Sequence, residues 1–306
     1  MHYSVMLSEV IDNLNINENG TYVDATLGYA GHSSEIMKRL KRGFLFAFDQ
    51  DKEAIIYSDK KLSEISLNYE IIHSNFKNLG EELSKRNINE VDGIIFDLGL
   101  SSPQIDNAER GFTFMNNAKL DMRMNQEQKF SAYDVVNSYS KNDLSKIFYE
   151  YGEEKLSNII ADKIIKYREK KAINTTDELV EIIKSATGAN YFFKNHPERQ
   201  IFQAIRIEVN NELNVLRDVL PDAIMKLKKG GRIAVITFHS LEDRIVKQIF
   251  KKYSEVDPIF KGLPDIPLEY QPKIKLINKK PILPTNEELE INSRSRSAKL
   301  RIVERI

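Results

Sequence analysis

Tyr22-Val23-Asp24-Ala25-Thr26-Leu27-Gly28-Tyr29-Ala30-Gly31-His32-Ser33 decides the fold. The run that ends in Asp24-Ala25-Thr26 reads as a buried strand, and the turn behind it leads into a helical pattern over residues 33–40. Glycine lets a backbone turn sharply and approach a ligand, and the helix N-terminus behind such a turn favours negative charge. The dinucleotide fingerprint needs three glycines spaced G-x-G-x-x-G, and this turn offers Gly28 and Gly31. Alone, the stretch fits a plain strand-to-helix turn as well as a ligand loop.

Four more short apolar runs follow, at residues 44–49, 69–73, 93–97 and 232–237, with helical patterns at 52–60 and 79–85 between the early ones. Strands alternating with helices predict right-handed crossovers and a parallel sheet, a doubly wound α/β fold of the Rossmann-like kind. Ligands of such sheets sit beyond the carboxyl ends of the strands. The rhythm breaks between the fourth and fifth strands, where more than a hundred residues intervene. Leu156, Ile160, Ile164 and Tyr167 keep helical spacing there, with Ile159 widening the apolar face. Thr175-Thr176-Asp177-Glu178 is a capping box ahead of Leu179, Ile182, Ile183 and Ala186. A mainly helical inserted domain is expected over 105–212, its edges near Gln104 and Glu212, in a parent domain of 1–104 and 213–306. Six prolines, at 258, 264, 267, 272, 281 and 284, predict an irregular connector before a last alternating strand at 298–303.

Composition narrows the chemistry. Cysteine is absent, so disulfides, thiolate metal sites and thiol nucleophiles are excluded. The 45 basic residues balance 45 acidic ones, which argues against an indiscriminate nucleic-acid binder. A local basic patch survives that balance: Arg294, Arg296, Lys299, Arg301 and Arg305 face Glu304 alone in the last sixteen residues. Apolar stretches such as 44–48 are too short to span a bilayer, and Met1-His2-Tyr3-Ser4 does not read as a signal peptide. A cytoplasmic location, with no membrane partner, is the expectation.

The strand ends carry the site. Asp49 stands 21 residues after Gly28, where a carboxylate can take both hydroxyls of a ribose. Either Asp49 or Asp51 is a helix cap for Lys52-Glu53-Ala54, and Asp49 is read as the one facing the ligand. Asn75-Phe76 follows the third strand, where the ring either lies against an adenine or packs in the rim. Asp97 closes the fourth, in Ile94-Ile95-Phe96-Asp97-Leu98-Gly99-Leu100-Ser101-Ser102. Together these suit a nucleoside cofactor that lacks a pyrophosphate.

Longer stretches match a family. They are Tyr22 through Gly28, Asp97-Leu98-Gly99-Leu100-Ser101-Ser102-Pro103-Gln104, Arg110-Gly111-Phe112-Thr113-Phe114, Leu120-Asp121-Met122-Arg123-Met124, Phe202-Gln203-Ala204-Ile205-Arg206-Ile207, Phe238-His239-Ser240-Leu241-Glu242-Asp243-Arg244 and Asn292 through Arg301. Over nearly its whole length the chain resembles the bacterial RsmH (MraW) methyltransferases. The resemblance implies a class I methyltransferase sheet and methyl transfer from S-adenosylmethionine to the N4 amine of a cytidine in the decoding centre of 16S ribosomal RNA. It implies cofactor contacts from Ala30, Gly31, His32, Asp49, Phe76, Asp97 and Gln104, and an inserted domain that helps recognise RNA. Ala30 stands where the family usually has glycine, a change that backbone contacts tolerate at negative φ.

The amine lone pair is delocalised into the ring, so the enzyme must hold nitrogen, methyl carbon and sulfur in line at about 3–3.5 Å. Acceptors for the amine hydrogens favour the charge that nitrogen gains. Asp97, Ser101 and Ser102 are the candidates; Asp97-Leu98-Gly99-Leu100 departs from the Asn/Asp-Pro-Pro-aromatic motif of many amino-methylating enzymes, which leaves the acceptor open. His239 either takes the proton or is a structural histidine held by Asp243 or Glu242. No metal is needed. Phe112 and Phe114 are candidates to stack on a flipped base, with core packing as the alternative. Arg110, Arg123, Arg206, Arg294, Arg296 and Lys299 are candidates for phosphates. The expected partner is 16S ribosomal RNA within the small subunit; monomer and homodimer both remain open. Another RNA atom as target, a nicotinamide oxidoreductase and an inert assembly protein are the competing readings.

Overall fold

Met6 and Asn15, both in the left-handed region, bracket α1 (Leu7–Leu14), which buries Val10, Ile11 and Leu14 on one face. Behind it the sequence alternates as the parallel-sheet rule requires: β1 (Thr21–Asp24), α2 (Gly31–Arg39), β2 (Phe44–Asp49), α3 (Lys52–Ser63), β3 (Tyr69–His73), α4 (Leu79–Lys85) and β4 (Val91–Asp97). This computed structural model describes residues 4–260, 262 and 264–306; the N-terminal Met1-His2-Tyr3, which carried the targeting expectation, lies outside them. Two units emerge, Met1–Gly99 with Leu213–Ile306, and Leu100–Glu212.

In the first unit β1 pairs in parallel with β2 and β4, so that Val23 meets Phe46 on one side and Ile94 on the other. Asp24, Asp49 and Asp97 consequently end their strands along one edge of the sheet. Strand interiors such as Leu45, Phe48, Ile94 and Phe96 are fully buried, as expected where helices cover both faces.

The second unit is helical: α5 (Ser102–Asp106), α6 (Ala132–Ser138), α7 (Lys141–Glu150), α8 (Ser157–Arg168), α9 (Thr176–Thr187), α10 (Ala189–Asn195) and α11 (Pro197–Asn210). Val135, Leu144, Phe148, Ile160, Ile164, Leu179 and Ile205 form its core. Each contributes about 1.5–3 kcal/mol by leaving water. Thr175 caps α9 as its sequence predicts, accepting from Glu178 N while Glu178 Oε2 accepts from Thr175 N. Ile159 departs from expectation. It is 51% exposed, because the buried stripe of α8 is the narrower one of Ile160, Ala161 and Ile164.

The chain returns to the first unit through α12 (Glu212–Met225), β5 (Leu227–Thr237), α13 (Ser240–Ser254), β6 (Ile274–Leu276), α14 (Asn286–Ile291) and β7 (Lys299–Arg305). The strand order is β3-β2-β1-β4-β5-β7-β6, with β7 antiparallel to both neighbours. This is the doubly wound Rossmann-like sheet, with the helical unit between β4 and β5. The proline-rich connector is more regular than expected, since it holds β6 and α14. β6 is a three-residue edge strand flanked by Pro272 and Pro281, where proline costs the sheet no ladder bond. Among the described residues no helix is long and apolar enough to cross a membrane.

Candidate active site

The turn after β1 is built around a buried carboxylate. Asp24 is 1% exposed; its Oδ1 accepts from Thr26 N at 3.0 Å and its Oδ2 from Ser33 Oγ at 2.6 Å. One side chain thus ties the start of the loop to the first turn of α2. Burial pushes the Asp24 carboxyl above its usual range, and these hydrogen bonds oppose the shift. Gly28, at φ 48, allows the turn to reverse. Gly31 has a different reason: a Cβ there would lie 1.5 Å from Ser4 Oγ, so the N-terminal segment rests on bare backbone.

Ala30 corrects an expectation. Its φ is +54, not negative, and it is the N-cap of α2. An L-residue pays about 1–2 kcal/mol in this region. The surroundings impose the conformation: Ala30 is wholly buried and its N–H closes the turn onto the Leu27 carbonyl at 2.8 Å.

Asp49 and Asp51 divide their work. Asp51 caps α3, accepting from Glu53 N at 3.0 Å. Asp49 accepts from Gly28 N through Oδ2 and from Asp51 N through Oδ1, both at 2.8 Å, so it fixes the glycine turn against the end of β2. Burial pushes its carboxyl up to about 7, while the backbone donors pull it down. Phe76 opens a short 3-10 turn capped by Asn75 and meets Phe96 edge-on, ring centres 5.7 Å apart.

Asp97 is the least satisfied of these groups. Its backbone N–H donates to Thr26 Oγ1 at 2.6 Å, which holds β4 to the loop. Its Oδ2 lies 3.5 Å from His32 Nδ1, and its Oδ1 is buried with no hydrogen-bond partner. Burial first, then the negative charges of Asp24, Glu242 and Glu288, push this carboxyl up to about 8. His32 is 4% exposed, and its Nε2 lies 3.0 Å from the Val5 carbonyl oxygen. It therefore packs beneath the loop.

His239 is the N-cap of α13, its Nδ1 facing Glu242 N at 3.5 Å. Glu242 Oε2 in turn accepts from Phe238 N at 2.8 Å and from His239 N at 3.4 Å. Of the two carboxylates weighed for this histidine, Asp243 is taken by Arg301, at 2.7 and 3.1 Å. His239 Nε2 comes within 3.1 Å of Glu242 Oε1 but lacks hydrogen-bond geometry.

Ser101, Ser102 and Gln104 open the second unit. Gln104 Oε1 accepts from Ser101 N at 3.1 Å, which ties the Gln104 side chain to the N-cap of α5. Gln104 is 8% exposed, and Ser101 Oγ is buried without a partner.

The structure places the first three arginines in architectural roles. Arg110 is 4% exposed and donates through Nη2 to the carbonyls of Arg123 and Met124, at 3.0 and 3.2 Å. Arg123 grips Asp121 at 2.9 and 2.6 Å, and Arg206 grips Glu212 at 2.9 Å through both Nε and Nη2. A guanidinium carries five donors in a rigid fork, so it stitches loops together as readily as it binds phosphate. Phe112 is buried in the helical core, and Phe114 meets Phe202 edge-on at 5.4 Å. Arg294 and Arg296 are exposed on a 3-10 turn, and Lys299 lies 3.7 Å from Asp243. Sequence reasoning missed the roles of Asp24, Thr26 and Val5, while Glu242 was one of the two partners it weighed for His239. Asp24 alone left a signal, a carboxylate at the end of an apolar strand.

With no third glycine for a pyrophosphate, this carboxylate-lined edge suits a nucleoside cofactor, and an antiparallel β7 between β5 and β6 gives the strand order of one large class of enzymes. The protein is an S-adenosylmethionine-dependent methyltransferase of class I. From residue 1 to residue 306 the chain matches the MraW methylase family, and it belongs to that family. Its reaction is methyl transfer to the N4 amine of a cytidine in the decoding centre of 16S ribosomal RNA.

Three solved structures resemble the chain at low identity. A candidate rRNA methylase from Clostridium thermocellum is 14% identical with a TM-score of 0.47, each chain covering 100% of the other. A candidate methyltransferase from Streptococcus mutans, in complex with SAH, is 13% identical over 99% of both chains with a TM-score of 0.45. An rRNA methylase from Streptococcus thermophilus is 14% identical over 98% of this chain and 92% of that one, with a TM-score of 0.42.

Proposed function

We propose that Asp97 is the acceptor that orients the N4 amine and takes its proton. The observation that carries this reading is Asp97 Oδ1, buried at a strand end yet without a hydrogen-bond partner. An ordinary fold pairs such an atom, and a substrate amine supplies the missing donor. The carboxyl, pushed up to about 8, is also near neutrality in proton affinity, which suits a base working near physiological pH.

The residues fit the cofactor. Asp49 has the position to hold ribose hydroxyls, Phe76 to flank the adenine, and the turn through Ala30, Gly31 and His32 to line the remainder. The sulfonium supplies an activated methyl group. His239 positions α13 through its cap. Arg294, Arg296 and Lys299 bind RNA phosphates, and the inserted unit recognises the folded RNA around the target. The enzyme works in the cytoplasm on the assembled or assembling small subunit, as its neutral net charge favours shape recognition over indiscriminate attraction.

Labelled S-adenosylmethionine offered to unmodified small subunits and to short naked RNA, followed by nucleoside analysis, tests both parts. Label in N4-methylcytidine from subunits alone is the expected result. Equal labelling of naked fragments would remove the assembled particle from the reading.

A further inference from the structure

Phe193 stands 65% exposed on α10, and its side chain has no polar atom for water to bind. A single exposed apolar residue is ordinary on a protein surface. Two features set this one apart, and both lie within the helical unit.

The ring is fixed. It meets Phe192 edge-on, with centres 5.6 Å apart and planes at 90°, and Phe192 is buried in the helical core. Lys184 Nζ, on α9, lies over the Phe193 ring at 5.7 Å from its centre. A cation held there takes one face, and the exposure of the residue leaves the ring open to a second, flat partner.

The surroundings are basic. From Lys184 to Gln200 the chain carries Lys184, Lys194 and Arg199 against Glu198 alone, in a protein whose 45 basic and 45 acidic residues cancel. Glu198 is turned inward: it is buried, with its Oε1 3.1 Å from His196 Nδ1. Glu181 reaches Lys184 only at 3.8 Å, on an exposed helix face where such a pair is weak. Lys194 and Arg199 are exposed, and neither side chain has a hydrogen bond or ion pair among the described residues. They differ in this from Arg110, Arg123 and Arg206, whose guanidinium groups are held by their own unit. A fixed aromatic plane beside free cations is complementary to a flat base on an anionic chain. An apolar protein patch would match the ring but leave the cations without a counter-charge.

We propose that the corner formed by α9, α10 and the start of α11 is an RNA-docking surface, where an unpaired base of the small-subunit RNA stacks on Phe193 while Lys184, Lys194 and Arg199 meet the adjoining phosphates. The inference rests on the reading of the helical unit as the part that recognises the folded RNA, and it names the residues that do so. Every base has a π-face, so this contact supplies affinity and leaves the choice of target atom to the active site.

The test is the Kd of the full chain for small subunits, read across a salt series. Phe193→Ala is expected to weaken binding about tenfold with the salt slope unchanged, since stacking releases no counterion. Phe193→Trp keeps a π-face and is expected to bind within about threefold of the original. Phe193→Leu keeps apolar bulk without the π-face and is expected to lose most of what alanine loses. Lys194→Ala should weaken binding several-fold and lower the slope of log affinity against log salt by about 1. Unchanged affinity in Phe193→Ala overturns the proposal. So does a Phe193→Leu variant that binds like the original, because the ring then faces protein and not a base. Ultraviolet crosslinking of the unsubstituted chain to small subunits gives a readout that needs no variant to fold, and a nucleotide adduct on Phe193 is expected. Adducts found only elsewhere in residues 100–212 remove this corner and keep the helical unit as the RNA reader. Adducts confined to the first unit remove both.

Discussion

The two units spend their charged side chains in opposite ways. In the sheet unit Asp49 and Asp97 end their strands with carboxyls pushed up to about 7 and about 8, and Asp97 keeps a buried oxygen unpaired. In the helical unit Arg110, Arg123 and Arg206 give their guanidinium groups to carbonyls and carboxylates of the same unit. A polar group whose partners are complete within the fold explains itself by folding. One left short where a ligand must sit is explained by the ligand. The division is not absolute: in the helical unit Ser101 Oγ, Gln200 Oε1, one oxygen each of Glu154 and Glu198, and the Nε of Arg110 beside its bonded Nη2 are also buried without a hydrogen-bond partner, although the other oxygens of the two glutamates are engaged by Tyr191 and His196.

The largest expected effect tests the sheet side of this contrast. Asp97→Ala should lower kcat by about 10²–10⁴-fold, while the melting temperature of the cofactor-free protein holds or rises because an unpaired buried carboxyl is gone. Near-normal turnover would move Asp97 to the architectural group. Arg110→Ala should behave in reverse. Two carbonyls lose their donor, and the urea unfolding free energy falls by about 2–4 kcal/mol, with RNA affinity of the folded protein kept within about twofold. Tenfold weaker RNA binding at unchanged stability would erase the contrast.

These two sites also differ in how far their sequence reveals them. β2 and β3 have the bounds their apolar runs predict, because turn residues frame each run. α1 leaves no cap signal, as left-handed Met6 and Asn15 frame it, and β6 lies among prolines that suggest no strand. Asp49 was readable as distinct from Asp51 because strand end and helix start are local properties. The Val5 carbonyl that orients His32 is backbone and carries no residue-type signal. Arg110 was opaque for another reason: its carbonyl partners come from Arg123 and Met124, and only the folded chain brings them together.

Asp49 sharpens the contrast through pH. Its folded-state proton affinity, near 7, lies above the unfolded-chain value, so its contribution to stability is full in acid and is lost as pH rises through about 7. Asp97 adds the same trend through about 8, while Asp121 and Asp243, held low by Arg123 and Arg301 against the pull of burial, lose theirs only on acidification. Ribose hydroxyls donate to the ionised form. Cofactor affinity should therefore weaken about tenfold per pH unit below pH 7 and level off above it, a slope that calorimetry reads directly. Asp49→Asn should flatten that slope. A slope that survives the substitution belongs to another group.

The smallest effect comes from a basic residue of the sheet unit. Arg296 is exposed on the turn before β7, where Ser295, wholly buried, pins the backbone by donating its Oγ to the Asn292 carbonyl at 2.7 Å. A fixed turn that holds an arginine outward suits a phosphate contact, unlike Arg110, whose fork is turned inward. A single phosphate contact adds to affinity by releasing about one counterion, so Arg296→Ala should weaken RNA binding only several-fold and lower the slope of log affinity against log salt by about 1. Because the side chain is on the surface, melting temperature and cofactor Kd should not change. A smaller slope at constant stability would assign the phosphate role to the C-terminal cluster. An unchanged slope would make Arg296 a solvated surface residue and leave RNA recognition to shape.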